Sequence, residues 1–388
     1  MKLGIDLTFL GESFGGGKDQ FIYNLLAGWQ EQGWADELVL FLYPHTQDRI
    51  RELVPTAQVV VVEERFSWMP KKLARDLWFR TFVLPGLVQK QGVDALFFPQ
   101  AGTGFRRLSV PTAVNPHDIQ FIEYPERAGL GERLKTRLLY TADFRLRDII
   151  VAISDYDRSA MAKHFPDQAG KLVRIYNPIR FGEEKQLEKP LDPPVILAVN
   201  IGFVHKNTET LIQAFERVAD RITHDLILVG NLRPETAHLR TLVSKSPWRY
   251  RMRLTGYLNE QELGRLYAGS DLFVTPSLYE GFGMPPVEAM GQGVAVVSSR
   301  ETALPEATLE RAFYYEPALS AEALGARILA VLGDPPDQET LIRIGNEVRA
   351  RYDYRQIAAE YRAFFVRLTQ PERSVDAGVH VSERTRTN

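Results

Sequence analysis

Two glutamates, Glu280 and Glu288, flank a short turn whose composition suits an anion. The residues between them read GFGMPPV, so two glycines precede Pro285, which fits the first position of a helix. Amides at a helix start attract anions, and Gly281 and Gly283 let the backbone approach a ligand closely. Carboxylates beside such a site accept hydrogen bonds from ligand hydroxyls. The spacing therefore predicts a diphosphate site with a sugar on one side and a ribose on the other.

His117 and Asp118 follow the apolar run TAVN and Pro116. That run predicts a strand, and reactive side chains gather at the carboxyl ends of strands in open α/β sheets. A polar loop pair gives the same pattern. The sequence leaves both interpretations open.

The run GGGKD contains Gly16 and Gly17 and invites a phosphate-loop interpretation. That interpretation fails, because Glu12 stands where the pattern needs glycine and Asp19 where it needs a hydroxyl. What remains is a flexible turn that lets backbone approach a ligand, or a plain strand-to-helix turn.

Asp155 and Asp157 form an Asp-x-Asp pair after an apolar run, an arrangement that could hold a divalent metal. Ser154 precedes them, and a serine followed by acidic residues is also typical of a helix start. We favour the helix start.

Short apolar runs alternate with helical patterns along most of the chain, which indicates βαβ layering around a parallel sheet. Seven runs in the first half predict strands: LGIDL, ELVLFLY, QVVVV, DALFFP, TAVN, IIVAIS and LVRIY. Five runs in the second half do the same: VILAVNI, DLILVG, MRLTG, DLFVTP and VAVVSS. We therefore expect two doubly wound α/β domains, with ligand bound in a cleft between them.

The domain boundaries follow from the same pattern. The charged, proline-rich interval 180–194 predicts a linker between a first domain over 1–185 and a second over 195–353. A long amphipathic helix is expected over 354–368. The polar, aperiodic residues 369–388 are expected to be disordered.

The composition excludes several classes of protein. The 388 residues carry 47 Lys and Arg against 49 Asp and Glu, so no overall basicity points to nucleic acid. Because there is no cysteine, disulfides, thiolate-bound zinc and cysteine nucleophiles are excluded, and a reducing compartment is favoured. No apolar run approaches the ~18 residues needed to cross a bilayer. The opening MKLGIDLTFL contains Asp6 and predicts a strand, not a secretory signal.

Charge is uneven along the chain. Residues 65–147 hold 14 Lys and Arg against 7 Asp and Glu, a net charge of +7, interleaved with aromatic residues. Such a segment suits an anionic membrane face or a phosphate-bearing acceptor. Solvated helix faces whose aromatic side chains turn into the core give the same pattern, so both interpretations stay open.

Taken together, these motifs resemble the retaining glycosyltransferases of family GT4, which have the GT-B fold. The segment EGFGMPPVEA at 280–289 matches that family's Glu-x7-Glu motif. The likeness covers about residues 1–365 and includes GGGKDQFIYNLL, PHD, VAISDYDRSAM, RIYNPI, LAVNIGFVHKNTETLIQAF and LTGYLNEQELGRLYAGSDLFVTPS. It implies two Rossmann-like doubly wound domains facing a central cleft, with the helix 354–368 crossing back to the first domain.

The resemblance also implies roles for single residues. Glu280 is expected to contact hydroxyls of the donor sugar, and Glu288 the ribose. Lys206 matches the lysine that neutralises the diphosphate, and His117 the histidine beside the transferred sugar. Further donor contacts are expected from the backbone of Gly281, Phe282, Gly283, Tyr257 and Leu258. The loop near donor and acceptor is expected to include Gly16, Gly17 and Asp118.

Two positions depart from the family pattern. Members often carry arginine beside the lysine, where this chain has His205. Many carry arginine or threonine near the position of Ile201. The diphosphate charge must then be met by Lys206, by the helix start and, where one lies near, by another cation.

The implied reaction moves a hexose from a nucleoside diphosphate sugar to a glycan or lipid-linked acceptor, with retention by same-face attack. By family frequency GDP-mannose leads as donor, followed by UDP-hexoses and dTDP-rhamnose. No cofactor and no metal are expected. The expected location is cytoplasmic, with peripheral membrane contact through residues 65–147. The alternatives are a nucleotide-sugar epimerase or hydrolase of the same fold, and a non-catalytic sugar-binding subunit.

Overall fold

A computed structural model describes residues 1–12, 16–63, 72–124, 129–182 and 191–370. Outside the described residues lie Gly15, most of the tail expected over 369–388, the middle of the linker expected over 180–194, and two stretches of the basic segment, 65–71 and 125–128. The chain divides into two compact units. The first comprises Met1–Ile153, Arg158–Ile175 and the described residues from Ala358 on, and the second comprises Ser154–Asp157 and Tyr176–Ile357.

Seven parallel strands form the sheet of the first unit: β1 (Leu3–Asp6), β2 (Leu38–Leu42), β3 (Gln58–Val61), β4 (Ala95–Phe98), β5 (Thr112–Val114), β6 (Ile149–Ala152) and β7 (Leu172–Arg174). They lie in the order β3-β2-β1-β4-β5-β6-β7. Each of them confirms one of the predicted strands. The inner strands are buried, as a sheet with helices on both faces requires, and the edge strands β3 and β7 are partly exposed.

The helices that begin in the first half of the chain are α1 (Gly17–Glu31), α2 (Gln47–Leu53), α3 (Lys72–Trp78), α4 (Leu84–Gln91), α5 (Gln120–Glu123), α6 (Leu130–Leu146) and α7 (Asp155–His164). A π-helical segment, Phe79–Val83, joins α3 to α4. Apolar side chains from the sheet, α4 and α7 form the core on one face of this sheet, and Phe144 of α6 is buried in it.

Six parallel strands form the sheet of the second unit: β8 (Val195–Val199), β9 (Asp225–Val229), β10 (Met252–Gly256), β11 (Leu272–Thr275), β12 (Ala295–Ser299) and β13 (Phe313–Tyr315). Their order is β10-β9-β8-β11-β12-β13. The first five confirm predicted strands. Strand β13 was missed, because a three-residue edge strand is too short to show a period.

The remaining helices are α8 (Thr208–Val218), α9 (His238–Lys245), α10 (Glu260–Gly269), α11 (Met284–Gly291), α12 (Leu304–Ala307), α13 (Ala321–Gly333), α14 (Gln338–Tyr352) and α15 (Tyr354–Thr369). From Ala358 on, α15 belongs to the first unit, where the Trp29 indole donates a hydrogen bond to the Ala358 carbonyl at 2.9 Å. Tyr361 and Phe365 each pack against Phe97, with ring centroids 5.5 Å apart. Within the described residues, no helix has both the length and the apolar character needed to cross a membrane.

Candidate active site

In the second sheet, β8 and β11 are neighbours. The strands β9 and β10 lie on the β8 side of this pair and the strands β12 and β13 lie on the β11 side, so the strand order reverses between β8 and β11. Loops that leave the carboxyl ends of strands at such a reversal diverge and leave room for a ligand. Lys206 lies in the loop after β8, and Glu280 lies in the loop after β11. The Lys206 Nζ is 2.5 Å from the Glu280 Oε1, and the two side chains are only 12% and 11% exposed. The structure therefore brings two predicted residues together at the expected place.

Glu280 is held at both its side chain and its backbone. Its Oε1 also accepts a hydrogen bond from the Ser277 hydroxyl at 2.7 Å. The Thr302 hydroxyl accepts from the Glu280 amide at 2.8 Å and donates to the Glu280 carbonyl at 3.0 Å. Burial raises the pKa of this carboxyl, but the Lys206 ammonium, with His205 and Ser277, outweighs burial and holds the pKa of Glu280 below its ordinary value. Glu280 is therefore a carboxylate at neutral pH.

The geometry leaves one oxygen of Glu280 for a ligand. Both hydrogen bonds from Lys206 and Ser277 end on Oε1. Of the described residues, none donates a hydrogen bond to Oε2. An ionised oxygen in this position can accept a hydrogen bond from a sugar hydroxyl.

Asn207 anchors the loop that carries Lys206. Its amide nitrogen Nδ2 donates to the carbonyls of Pro276 at 3.1 Å and Ala318 at 2.9 Å. The backbone of Asn207 has φ 53°, a left-handed conformation that asparagine tolerates better than most residues. The Leu278 amide donates to the His205 carbonyl at 2.7 Å and ties the same loop to the one after β11. These bonds place the ammonium before any ligand arrives.

The turn after Glu280 leads into α11, whose first residues offer a ligand fewer backbone N–H groups than we predicted for this helix start. Helix α11 begins at Met284. Pro285 is therefore its second residue, whereas the sequence predicted that it would be the first. Because Pro285 and Pro286 carry no N–H, Met284 is the only one of the first three helical residues that can donate. Gly283 precedes the helix with φ 102°, a conformation that favours glycine.

The side chain of Phe282 points into the core. Its ring lies 5.9 Å from Tyr176 and 5.1 Å from Tyr352, and it is almost fully buried. The Gly281 carbonyl accepts a hydrogen bond from the Ser154 hydroxyl at 2.7 Å. Only the backbone of this turn is therefore available to a ligand.

Glu288, the second predicted carboxylate, has a partner that the sequence did not reveal. The Tyr267 hydroxyl donates to Glu288 Oε2 at 2.9 Å. Burial raises the pKa of Glu288 and Glu260 adds to the rise, while the Tyr267 hydrogen bond opposes both. The two acids of the motif thus lie in opposite electrostatic environments, with the pKa of Glu280 lowered and that of Glu288 raised.

The loops after β8, β9 and β10 meet beside Tyr257. The Tyr257 amide donates to the Asn231 side-chain oxygen at 3.1 Å, and the Tyr257 ring is exposed, as is part of Leu258. At Gly202 an added Cβ would lie 1.9 Å from the Asn231 carbonyl oxygen. Only glycine therefore fits at this position.

A further cation lies beside the Lys206 loop. The guanidinium carbon of Arg233 is 3.9 Å from the centre of the Phe203 ring, and that ring is 5.4 Å from the His205 ring. Ile201, where many family members carry arginine or threonine, is buried in the core. Arg233 comes from the loop after β9, and no motif in the sequence pointed to it.

In the first unit, His117 is a buried, neutral histidine. Its Nε2 lies 2.8 Å from the Pro99 carbonyl, which can only accept, so Nε2 carries the proton and Nδ1 is left as an acceptor. Burial, helped by the nearby Lys18 ammonium, lowers the pKa of His117 to about 3. Phe21 of α1 packs edge-on against the ring at 5.0 Å. His117 and the start of α1 therefore form one cluster.

The other predicted residues of the first unit lie around that cluster. Gly16 precedes α1 with φ 99°, and among the described residues no atom lies within 4 Å of a Cβ added at Gly16 or Gly17. Asp118 accepts from the Gln120 amide at 3.2 Å, and its carbonyl accepts from the Tyr140 hydroxyl at 2.8 Å.

The Asp155/Asp157 pair lies at a helix start, as predicted. Helix α7 begins at Asp155, and the Ser154 hydroxyl accepts from the Asp157 amide at 3.0 Å. The amides of Asp155 and Tyr156 donate to the two carboxylate oxygens of Glu306 at 2.7 and 3.0 Å. The described part of the chain contains no group of three or more His, Cys, Asp or Glu placed to hold a metal ion.

The two doubly wound parallel sheets give the chain the GT-B fold of glycosyltransferases. Two family models match adjacent parts of the chain: Glycosyltransferase Family 4 over residues 15–181 and Glycosyl transferases group 1 over residues 180–348. The chain belongs to glycosyltransferase family 4.

Among curated proteins, the chain is similar to O-antigen chain mannosyltransferase B of Escherichia coli, with 30% identity over 61% of this chain and 62% of the relative. It is also similar to O-antigen chain mannosyltransferase RfbU of Salmonella typhimurium, with 25% identity over 62% of this chain and 65% of the relative. The matches thus span less than two thirds of either relative's length.

Among solved structures, sucrose-phosphate synthase from Thermosynechococcus elongatus superposes with a TM-score of 0.75 at 19% identity, covering 95% of this chain and 98% of that one. HepE from Anabaena, in complex with UDP and glucose, has a TM-score of 0.72 at 18% identity, covering 94% of this chain and 99% of that one. At these identities the likeness concerns the fold.

Proposed function

We propose that the protein transfers a hexose from a nucleoside diphosphate sugar to a glycan or lipid-linked acceptor, with retention of anomeric configuration. The observation that carries this proposal is the Lys206–Glu280 pair at the reversal of the second sheet. A fixed ammonium there can stabilise a diphosphate leaving group, and the Glu280 carboxylate can orient sugar hydroxyls.

In the proposed reaction the bond between the sugar C1 and the diphosphate oxygen breaks while the acceptor oxygen attacks C1 from the same face. The acceptor proton passes to the departing phosphate oxygen. Lys206 meets the negative charge that develops there, which is the electrostatic contribution that usually dominates such catalysis. Glu280 Oε1 is already occupied by Lys206 and Ser277, which suits a positioning carboxylate better than a nucleophile.

GDP-mannose is the donor we favour, since both curated relatives are named as mannosyltransferases that act on O-antigen chains. UDP-hexoses and dTDP-rhamnose come next, and the Anabaena neighbour binds UDP and glucose. Assembly of a surface polysaccharide is the corresponding biological setting. Nucleotide sugars and the absence of cysteine favour the cytoplasm, with residues 65–147 as the region of membrane contact.

A donor screen tests the proposal. Thermal unfolding is followed with GDP-mannose, UDP-glucose and dTDP-rhamnose, and a donor at 100 times its Kd should stabilise the protein by about 2.7 kcal/mol. The stabilising donor is then incubated with lipid-linked oligosaccharide, and NMR of the product should show the same anomeric configuration as the donor. An inverted product would refute the same-face mechanism, and no response to any nucleotide sugar would refute the donor site.

Two other functions give different outcomes in the same assay. A nucleotide-sugar epimerase or hydrolase would consume donor completely without acceptor. A non-catalytic sugar-binding subunit would be stabilised by nucleotide sugar but would show no turnover with or without acceptor.

A further inference from the structure

Helix α6 exposes three leucines along one face. Leu130, Leu134 and Leu138 are 72%, 64% and 61% exposed, and their spacing of four residues places them on one stripe of the helix. The opposite side of α6 is fixed to the first unit by buried Thr136 and Asp143. Single exposed leucines are ordinary on a protein surface, but a continuous apolar stripe marks an interaction site.

Cationic side chains border this leucine stripe. Arg137 follows Leu130 by seven residues and Arg145 follows Leu138 by seven, so both arginines project from the leucine face, and both are exposed. The helix carries only two acids. Asp143 is buried and accepts from the Gly102 amide at 2.6 Å, and Glu132 pairs with Lys135 at 2.5 Å. The exposed face is therefore apolar and positively charged.

The positive charge continues at the carboxyl end of α6. The Lys171 ammonium donates to the carbonyls of Phe144, Arg145 and Arg147 at 2.8, 3.1 and 2.9 Å. The Arg107 guanidinium donates to the Arg145 carbonyl at 3.2 Å. Arg107 belongs to a loop whose Phe105 ring is 47% exposed, so apolar and cationic groups also adjoin on this loop.

We propose that α6 is a membrane-contact helix, with Leu130, Leu134 and Leu138 entering the interfacial region of an anionic bilayer and Arg137 and Arg145 binding lipid phosphates. A cationic amphipathic helix lies in the plane of such a surface and gains from both apolar burial and charge. A second copy of the chain is a poorer occupant. A two-fold contact through this face would bring the arginines of both copies together without an acidic partner.

Environment-sensitive labelling tests the proposal, because the chain has no cysteine and a single one can be introduced cleanly. Full-length Leu134→Cys and the control Leu319→Cys are labelled with the fluorophore NBD. Leu319 is 70% exposed in the second unit and matches Leu134 in exposure. With phosphatidylglycerol vesicles, emission from position 134 should rise and shift to shorter wavelength, and emission from position 319 should not. Vesicles of phosphatidylcholine alone should produce neither change.

Co-sedimentation gives an independent measurement. Leu134→Ser with Leu138→Ser should lower the vesicle partition coefficient at least tenfold, because the apolar groups that enter the bilayer are lost. Arg137→Ser with Arg145→Ser should weaken binding to phosphatidylglycerol vesicles and reduce its salt dependence. Since these side chains are exposed, the melting temperature should stay as in the unaltered protein, and Leu319→Ser should bind vesicles normally.

Equal vesicle binding by the double-leucine variant would overturn the proposal. A second result would also overturn it: the unaltered chain self-associates in analytical ultracentrifugation, the same leucine substitutions abolish that self-association, and the label at position 134 does not respond to vesicles. That outcome would assign the leucine stripe to a second copy. The inference rests on the membrane contact proposed above for residues 65–147 and narrows it to α6. Neither measurement uses sugar transfer, so the membrane contact and the sugar transfer can fail independently.

Discussion

Lys206 and Glu280 are 74 residues apart in sequence, yet Nζ and Oε1 lie 2.5 Å apart at the reversal of the second sheet. The Lys206 ammonium sets the charge state of Glu280, because it lowers the pKa of a carboxyl that burial alone would raise. A diphosphate that reaches this ammonium meets a cation whose position is already set by Asn207 and Glu280. The proposed chemistry therefore depends on both partners.

Lys206→Ala should lower turnover by on the order of 10²–10³, because negative charge on the diphosphate grows as the glycosidic bond breaks. Donor binding should weaken by less than turnover falls. Lys206→Arg should restore only part of the activity, since a planar guanidinium does not replace a compact charge. Steady-state kinetics with the identified donor check this, with exposed Lys245→Ala as the control. Unchanged kcat with a raised KM would show that Lys206 only anchors the donor.

The same variant should change the pH profile. Without the Lys206 ammonium the pKa of Glu280 rises, because burial is no longer opposed by that charge. The acid limb of kcat/KM should therefore move to higher pH in Lys206→Ala. An acid limb at the same pH in both proteins would mean that Glu280 ionisation does not control activity.

Glu280→Gln should keep the fold and most of the nucleotide affinity but lose most of the turnover. The amide keeps the shape of the side chain but removes the ionised oxygen that we expect to orient a sugar hydroxyl. Thermal unfolding, nucleoside diphosphate titration and transfer assays separate the three properties. Transfer at a rate near that of the unaltered enzyme would exclude this role.

Tyr267→Phe should raise the KM for donor with little change in kcat. The hydroxyl donates to Glu288 Oε2 at 2.9 Å and opposes the rise in the pKa of Glu288, so its loss favours the protonated acid. A hydrogen bond to a charged group is worth about 1.5–3 kcal/mol, which corresponds to roughly a 10- to 150-fold change in KM as an upper range. The increase in KM should become larger as pH falls. Tyr250→Phe, on an exposed tyrosine of the same unit, is the control.

His117→Asn should reduce the loss of folding stability that occurs as pH falls. The folded pKa of about 3 lies below the ordinary 6.5, so between these values the unfolded chain binds a proton that the folded one does not. Stability from this residue therefore falls as pH drops below 6.5, by about 2 kcal/mol at pH 5. Asparagine suits the φ of 71°. Melting temperatures at pH 7.5 and 5 should differ less in this variant than in the unaltered protein.

Transfer should proceed in excess EDTA, since the Asp155/Asp157 pair serves a helix start. Ser154→Ala should instead cost about 0.5–2 kcal/mol of stability, because Ser154 caps α7 and also donates to the Gly281 carbonyl. Loss of activity in EDTA that Mn²⁺ or Mg²⁺ restores would return the pair to a metal role.

Local patterns were sufficient where the structure depends on neighbours in sequence. The run DLFVTP predicted β11, and Ser154 with Asp155 predicted the start of α7, because burial and capping act over a few residues. Strand β13 escaped because its three residues show no period. The predicted first residue of α11 was wrong by one position, since Met284 and Pro285 both fit a helix start.

Glu280, Glu288 and Lys206 could be found from the sequence because motifs carry residue types and spacings. The residues that hydrogen-bond to them, or that hold their loops, could not be found in this way. Ser277, Asn207 and Tyr267 lie inside segments that resemble the family, but we assigned them no role, because their contacts depend on where separate loops meet.

The sequence by itself determined the alternation of strands and helices, the family and the residue types available for catalysis. Tertiary structure alone decided that β8 and β11 are neighbours, that Lys206 therefore reaches Glu280, and that Gly202 must be glycine because Asn231 passes so close. It also decided that the leucines of α6 face outward. The physical reason is that periodicity and capping are local, whereas strand order and exposure follow from burying all the elements of a unit at once.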